Sequence, residues 1–154
     1  MTLLATVFVS NAQQVKSIKA TELAATIKAS KTPLIVNFWA TFCVPCIEEM
    51  PYFQKLAKKY QSEKVALIFV SLDLKKDYPA KVNTIAKKLR LTYPVAWLNE
   101  TNADYFCPII DSTWTGGLPS SLFINNSKGY RRFIEEQLSR EELAKEITAM
   151  VKPG

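Results

Sequence analysis

The feature that most restricts what this chain can become is a junction. Pro33-Leu34-Ile35-Val36-Asn37-Phe38-Trp39 is a short, nearly continuous apolar run rich in branched and aromatic residues, and Cys43-Val44-Pro45-Cys46 follows it a few positions later. Such a run reads as a strand covered on both faces, the habit of sheets that carry helices above and below. Beyond it, Cys46, Met50, Phe53, Ala57 and Tyr60 recur at helical spacing, with Glu48, Glu49, Lys55, Lys58 and Lys59 between them. An amphipathic helix therefore starts where the strand stops. The two cysteines sit at a strand-to-helix turn of an α/β chain.

That position has chemical consequences. A helix N-terminus offers unpaired backbone N–H groups and the positive end of the macrodipole, so it favours thiolate over thiol. A cysteine there titrates below the free value of about 8.5 and is more of a nucleophile at neutral pH. Three residues along a helix also bring two side chains one above the other, with Cα atoms about 5 to 6 Å apart, the spacing a disulfide prefers. One thiolate can attack a foreign disulfide and its neighbour can resolve the mixed disulfide. Cys43 takes the role of attacking nucleophile and Cys46 that of resolving thiol.

Two plainer readings of Cys-x-x-Cys compete with this one. Structural zinc needs four Cys or His ligands, whereas the chain has three cysteines and no histidine, so no metal site is expected. An inert structural disulfide stays open as an alternative, although so short a loop gives little chain-entropy stabilisation.

The 154 residues fit one domain large enough to bury a core. A net charge of +6 is spread over pairs such as Lys58-Lys59, Lys75-Lys76 and Lys87-Lys88, with no basic block interleaved with aromatics, so nucleic-acid binding is not expected. Residues 3–9 are apolar and Ser10-Asn11-Ala12 ends in a small-x-small pattern. Residues 1–12 are thus expected to be a signal-peptide remnant or N-terminal extension, and residues 13–154 one domain.

Along that domain, residues 14–18 are expected to give a first strand, and Thr21 to open a helix with Leu23 and Ile27 on its buried face. Pro51 should kink the helix after the redox turn near Ile47. Residues 65–71 and 93–98 read as strands, and Asp77-Tyr78-Pro79 as the start of a helix with proline in its first turn and Val82, Ile85, Ala86 and Leu89 buried. Residues 102–110 read as a short helix interrupted near Pro108 and holding Cys107, a small buried hydrophobe. Asn126-Ser127-Lys128-Gly129 joins two runs as a hairpin, and Ser139 with Glu142 caps a last helix that buries Leu143, Ile147, Met150 and Val151.

The segment Val36-Asn37-Phe38-Trp39-Ala40-Thr41-Phe42-Cys43-Val44-Pro45-Cys46-Ile47-Glu48-Glu49-Met50-Pro51 resembles the active-site stretch of the thioredoxin superfamily. It is most similar to the bacterial membrane-side, TlpA/ResA-like branch of thiol-disulfide oxidoreductases, related to the cytochrome c maturation reductases. Gly116-Gly117-Leu118-Pro119-Ser120-Ser121 resembles the loop that carries that superfamily's cis-proline, and the likeness covers roughly residues 15–151.

The resemblance implies a thioredoxin fold, a central mixed β-sheet flanked by helices with the branch's extra strand-helix insertion, and a redox enzyme that uses no cofactor. It implies that Pro119 packs against the disulfide, and that Leu118, with Phe42, meets the substrate. Trp39, Val44, Pro45 and Asn37 would support the site. Where many thioredoxins have a buried aspartate ahead of the cysteines, this chain has Asn37, which cannot titrate. Membrane-side relatives carry a glutamate six residues after the first cysteine, and Glu49 is placed there as the proton acceptor for Cys46, while Glu48 points elsewhere. Phe42 stands where tryptophan is usual.

Val44-Pro45 brings no positive charge, and strongly oxidising relatives generally have a histidine there, so a reductase is expected. Its partners would be protein disulfides, with apocytochrome c as one substrate to test, and a membrane thiol electron donor. The protein would be monomeric and extracytoplasmic. An oxidase or isomerase, a metal-binding module and a redox-inert module are the rivals. A peroxiredoxin is disfavoured because its peroxidatic cysteine needs a Thr-x-x-Cys context, whereas Thr41 is two residues before Cys43.

Overall fold

The computed structural model describes residues 14–152, so the leader assignment of residues 1–12 lies outside the described residues. The chain runs β1 (Lys16–Ile18), α1 (Ala20–Ala29), β2 (Leu34–Trp39), α2 (Val44–Lys59), β3 (Ala66–Ser71), α3 (Ala80–Lys88), β4 (Val95–Leu98), α4 (Ala103–Ile110), β5 (Ser120–Asn125), β6 (Tyr130–Ile134) and α5 (Arg140–Val151). The strands form one mixed sheet in the order β1-β4-β3-β2-β5-β6. The β1–β4, β4–β3 and β3–β2 pairings are parallel, and the β2–β5 and β5–β6 pairings are antiparallel.

Strand β2 lies near the middle of the sheet and is buried at every position. Because side chains alternate across a strand, Ile35, Asn37 and Trp39 face one side and Leu34, Val36 and Phe38 the other. The first side meets α2 and α5 in a core that holds Phe53, Phe69, Phe123 and Ile147 together with both active-turn cysteines. The second side meets α1 and α4, where Leu23, Ile27, Phe106, Ile110 and Trp114 close over it. Two apolar layers on one sheet make the register of β2 costly to slip, since a one-residue shift would exchange the faces. The redox turn is therefore held at the end of a strand that is not free to slip.

Three local expectations are corrected. Helix α1 begins at Ala20, one residue ahead of Thr21, because the Glu22 carboxylate turns back to accept the Lys19 N–H at 2.7 Å. Pro79 precedes α3 as its N-cap and follows a cis bond from Tyr78, after a 3-10 turn at Lys75–Asp77. Pro108 does not interrupt α4: it falls in the last turn of a continuous helix capped by the Asn102 side chain on the Asp104 N–H. Cys107 is a free, buried thiol, and burial first, with Glu135 and Asp104 adding to it, pushes its pKa up to about 11. The Ser139 capping box is present with both of its bonds.

Candidate active site

Residues 40–43 carry the chain from β2 into α2. Leu72 N–H donates to the Trp39 carbonyl at 2.8 Å, and Asp73, just past the end of the neighbouring β3, accepts the Thr41 N–H at about 3 Å on both carboxylate oxygens. The Thr41 and Ser71 hydroxyls donate to the same carboxylate at 2.5 and 2.7 Å, and Trp97 Nε1–H donates to the Asp73 carbonyl at 2.7 Å. Asp73 is buried, so its donors replace water and lock the turn to β3 and β4.

Cys43 caps α2 from this fixed turn, and its Sγ accepts the Cys46 N–H at 3.3 Å. The two cysteines are joined as a disulfide with Cα atoms 5.3 Å apart. Cys43 is 9% exposed and Cys46 fully buried, so an incoming sulfur can reach only Cys43. Phe42 and Val44 flank it as apolar side chains that are 65% and 64% exposed. Pro45 lies in the first turn of α2, and its carbonyl accepts Gln137 Nε2–H at 3.4 Å.

Glu49 lies one helical turn beyond Cys46 on the same buried face and has no exposed surface. Its Oε1 accepts Asn37 Nδ2–H at 2.8 Å, and its Oε2 accepts the Leu138 N–H at 3.1 Å. Burial raises its pKa, the Leu138 and Asn37 donors pull it back, and the balance stands at about 7. A carboxyl so placed exchanges its proton near neutral pH. Glu48, its neighbour in sequence, is exposed and meets only Gln137 Nε2–H at 3.3 Å. Asn37 in turn donates to Ser121 Oγ at 3.1 Å, its register partner on β5. Its Oδ1 and the Trp39 Nε1 are buried without a partner among the described residues.

The β2–β5 register ends with Phe38 opposite Ser120. That pairing sets Leu118-Pro119 beside the end of β2 where the redox turn starts. The Leu118–Pro119 bond is cis and Pro119 is buried, while Leu118 packs against the core that contains both cysteines. The structure thus gathers Cys43, Cys46, Asn37, Trp39 and Glu49 on one side of the turn and Leu118 and Pro119 across the strand pair from it. Phe42 and Val44 form its rim. Sequence reasoning missed Asp73, Leu138, Gln137 and Glu135. Only Asp73 left a signal: a Ser-x-Asp pattern at the C-terminal end of a buried strand, where α/β folds place their sites. Among the described residues no cluster of three or more His, Cys, Asp or Glu side chains is arranged to hold a metal ion, and no helix is long and apolar enough to cross a membrane.

Residues 5–128 match the model of the AhpC/TSA family. The thiol-disulfide oxidoreductase ResA of Geobacillus thermodenitrificans is 26% identical over 78% of this chain and 63% of its own length. ResA of Bacillus cereus is 33% identical over 71% of this chain and 58% of its own. The chain thus spans about 60% of the length of these curated relatives. Among solved structures, a thioredoxin-related protein from Neisseria meningitidis serogroup B superposes with a TM-score of 0.63 at 27% identity, over 81% of this chain and 87% of that one. The mixed sheet, the Cys-x-x-Cys pair at the head of α2 and these matches agree: the chain is a ResA-like, thioredoxin-fold member of the AhpC/TSA family.

Proposed function

We propose that this chain is a thiol-disulfide oxidoreductase that reduces protein disulfides. The observation that carries the reading is the pairing of Cys43, which keeps a small exposed edge at a helix N-terminus, with a fully buried Cys46 and, one turn further on, a buried carboxyl whose pKa stands at about 7. In the dithiol state the Cys43 thiolate attacks one sulfur of a substrate disulfide. The S–S bond breaks, a substrate thiolate leaves, and a mixed disulfide to Cys43 forms. Glu49 takes the Cys46 proton, and the Cys46 thiolate attacks Cys43 Sγ. The second substrate thiolate departs, two electrons have passed to the substrate, and Cys43–Cys46 is the disulfide found here.

Phe42, Val44 and the Leu118-Pro119 loop form the docking surface, with Leu118 offering its peptide groups to an extended substrate segment as an added strand would. Trp39, Pro45 and Asn37 support the pair from beneath. Leu118 suits the task because neither its N–H nor its C=O is bonded to another described residue. The likeness to ResA supports an extracytoplasmic setting, a membrane thiol donor that restores the dithiol, and apocytochrome c among the substrates. The chain acts as a single monomeric domain over residues 13–154 and needs no cofactor.

The test is to mix the reduced protein with insulin as a model protein disulfide. Wild type should reduce insulin with matching formation of Cys43–Cys46, and Cys46→Ser should accumulate a covalent adduct on Cys43. Peroxide consumption or copper binding without disulfide exchange would instead place the chain among the rival classes.

A further inference from the structure

The loop ahead of Pro119 has little to hold it by itself. Gly116 adopts φ of +95° and Gly117 follows it, and two consecutive glycines leave a backbone with the widest choice of conformations. Glu135, just past the end of β6, closes that choice. Its carboxylate accepts the Thr115 N–H at 3.0 Å, the Thr115 hydroxyl at 2.5 Å and the Gly117 N–H at 2.5 Å. The Gly117 carbonyl is taken as well, by Trp114 Nε1–H at 3.1 Å and by the Ser120 hydroxyl at 2.6 Å. A Cβ on Gly117 would lie 2.5 Å from Glu135 Oε1, so the absence of a side chain there is what admits the carboxylate. Both polar backbone groups of Gly117 are thus taken within the protein, and in Leu118, next along the chain, neither is bonded to another described residue.

We propose that Glu135 is a positioning residue of the substrate-docking loop: by binding Thr115 and Gly117 it fixes the direction in which Leu118 presents its peptide groups to the substrate. This rests on the disulfide-exchange reading above, and it adds a residue that touches neither cysteine. The clamp stands at the end of a strand paired to β5, so the loop is referred to the sheet and not to solvent-exposed chain. Ordering it before the substrate arrives removes a cost of binding.

The experiment is steady-state insulin reduction by wild type, Glu135→Gln, Glu135→Ala and Gly117→Ala, with the reduction potential of the Cys43/Cys46 pair measured for each. Glu135→Ala should raise KM about tenfold, the size of one lost charge-assisted hydrogen bond, with kcat within about twofold and the potential unchanged. Glu135→Gln keeps an oxygen acceptor in an isosteric side chain and should restore part of the KM, which also covers the case in which the alanine variant folds poorly. Glu135→Ala combined with Gly117→Ala should be no worse than either single change, because both remove one clamp. A KM equal to wild type in both Glu135 variants, or a change in potential in place of KM, overturns the inference while leaving disulfide exchange standing. A wild type that reduces no protein disulfide overturns the exchange reading and this one with it.

Discussion

Two glutamates stand behind the two halves of the proposed site and are driven in opposite directions. Glu49, behind the cysteines, is fully buried, receives two donors and has its pKa raised to about 7. Glu135, behind the docking loop, also feels burial working against its charge, but the Thr115 hydroxyl and the Thr115 and Gly117 N–H groups outweigh it and hold the carboxyl below its ordinary value. What separates them is solvent and donor count: Glu135 is half-buried with three donors, Glu49 sealed with two. The first environment makes a fixed anion suited to holding backbone, the second an acid suited to moving a proton. Glu48 sharpens the lesson, since one residue along the helix leaves it exposed.

The largest effects are expected at the cysteines. Cys43→Ser should abolish turnover, and Cys46→Ser should stop it at the mixed disulfide, as a non-reducing gel of either variant with insulin would show. Next, Glu49→Gln should slow resolution of the mixed disulfide by about a hundredfold, within the range of a lost general base. It should also remove the rate step expected of wild type near pH 7; stopped-flow rates from pH 6 to 9 decide this. Glu135→Gln should keep that step.

Stability gives a third test with a definite sign. A carboxyl whose folded pKa lies above its unfolded value of 4.5 binds more protons when folded, so its contribution is complete below that value and disappears as pH rises through about 7. Between pH 4.5 and 8 wild type should lose roughly 3 kcal/mol relative to Glu49→Gln. Urea midpoints of the two proteins that stay parallel across this range would contradict the buried-acid account. The smallest effect concerns Asn37, whose Nδ2–H favours the ionised form of Glu49. Asn37→Ala should raise the Glu49 pKa further, read as an upward move in the midpoint of the same rate profile.

Much of this arrangement is legible in the sequence because it is local. The all-buried β2, the cysteine spacing, the Ser139 cap and the hairpin over Asn126–Lys128 each involve residues within a few positions of one another. The buried stripe of α2 at Cys46, Met50, Phe53 and Ala57 follows from period, whereas Glu49 falls by period among the polar residues between them and is pointed to by the family resemblance; the structure buries it beside the stripe. What periodicity cannot carry is the partner set. Leu138 meets Glu49 from 89 residues away, Asp73 meets Thr41 from 32, and Glu135 meets Gly117 from 18. Those bonds exist only once β3 and β6 have been laid beside the site. Prolines mislead for the opposite reason: Pro108 reads as a breaker, yet in the last turn of so short a helix it leaves the remaining bonds intact.

In the proposed reductase the Cys43/Cys46 pair gives electrons to other disulfides. Its reduction potential tests this most directly, measured in dithiothreitol or glutathione buffers by thiol-trapping mass shift, with Cys107→Ser beside wild type to isolate the pair. The expected value lies below about −230 mV, nearer thioredoxin's roughly −270 mV, and is the same in both proteins. A value above about −180 mV would make the pair an oxidant or isomerase and contradict the reductase reading.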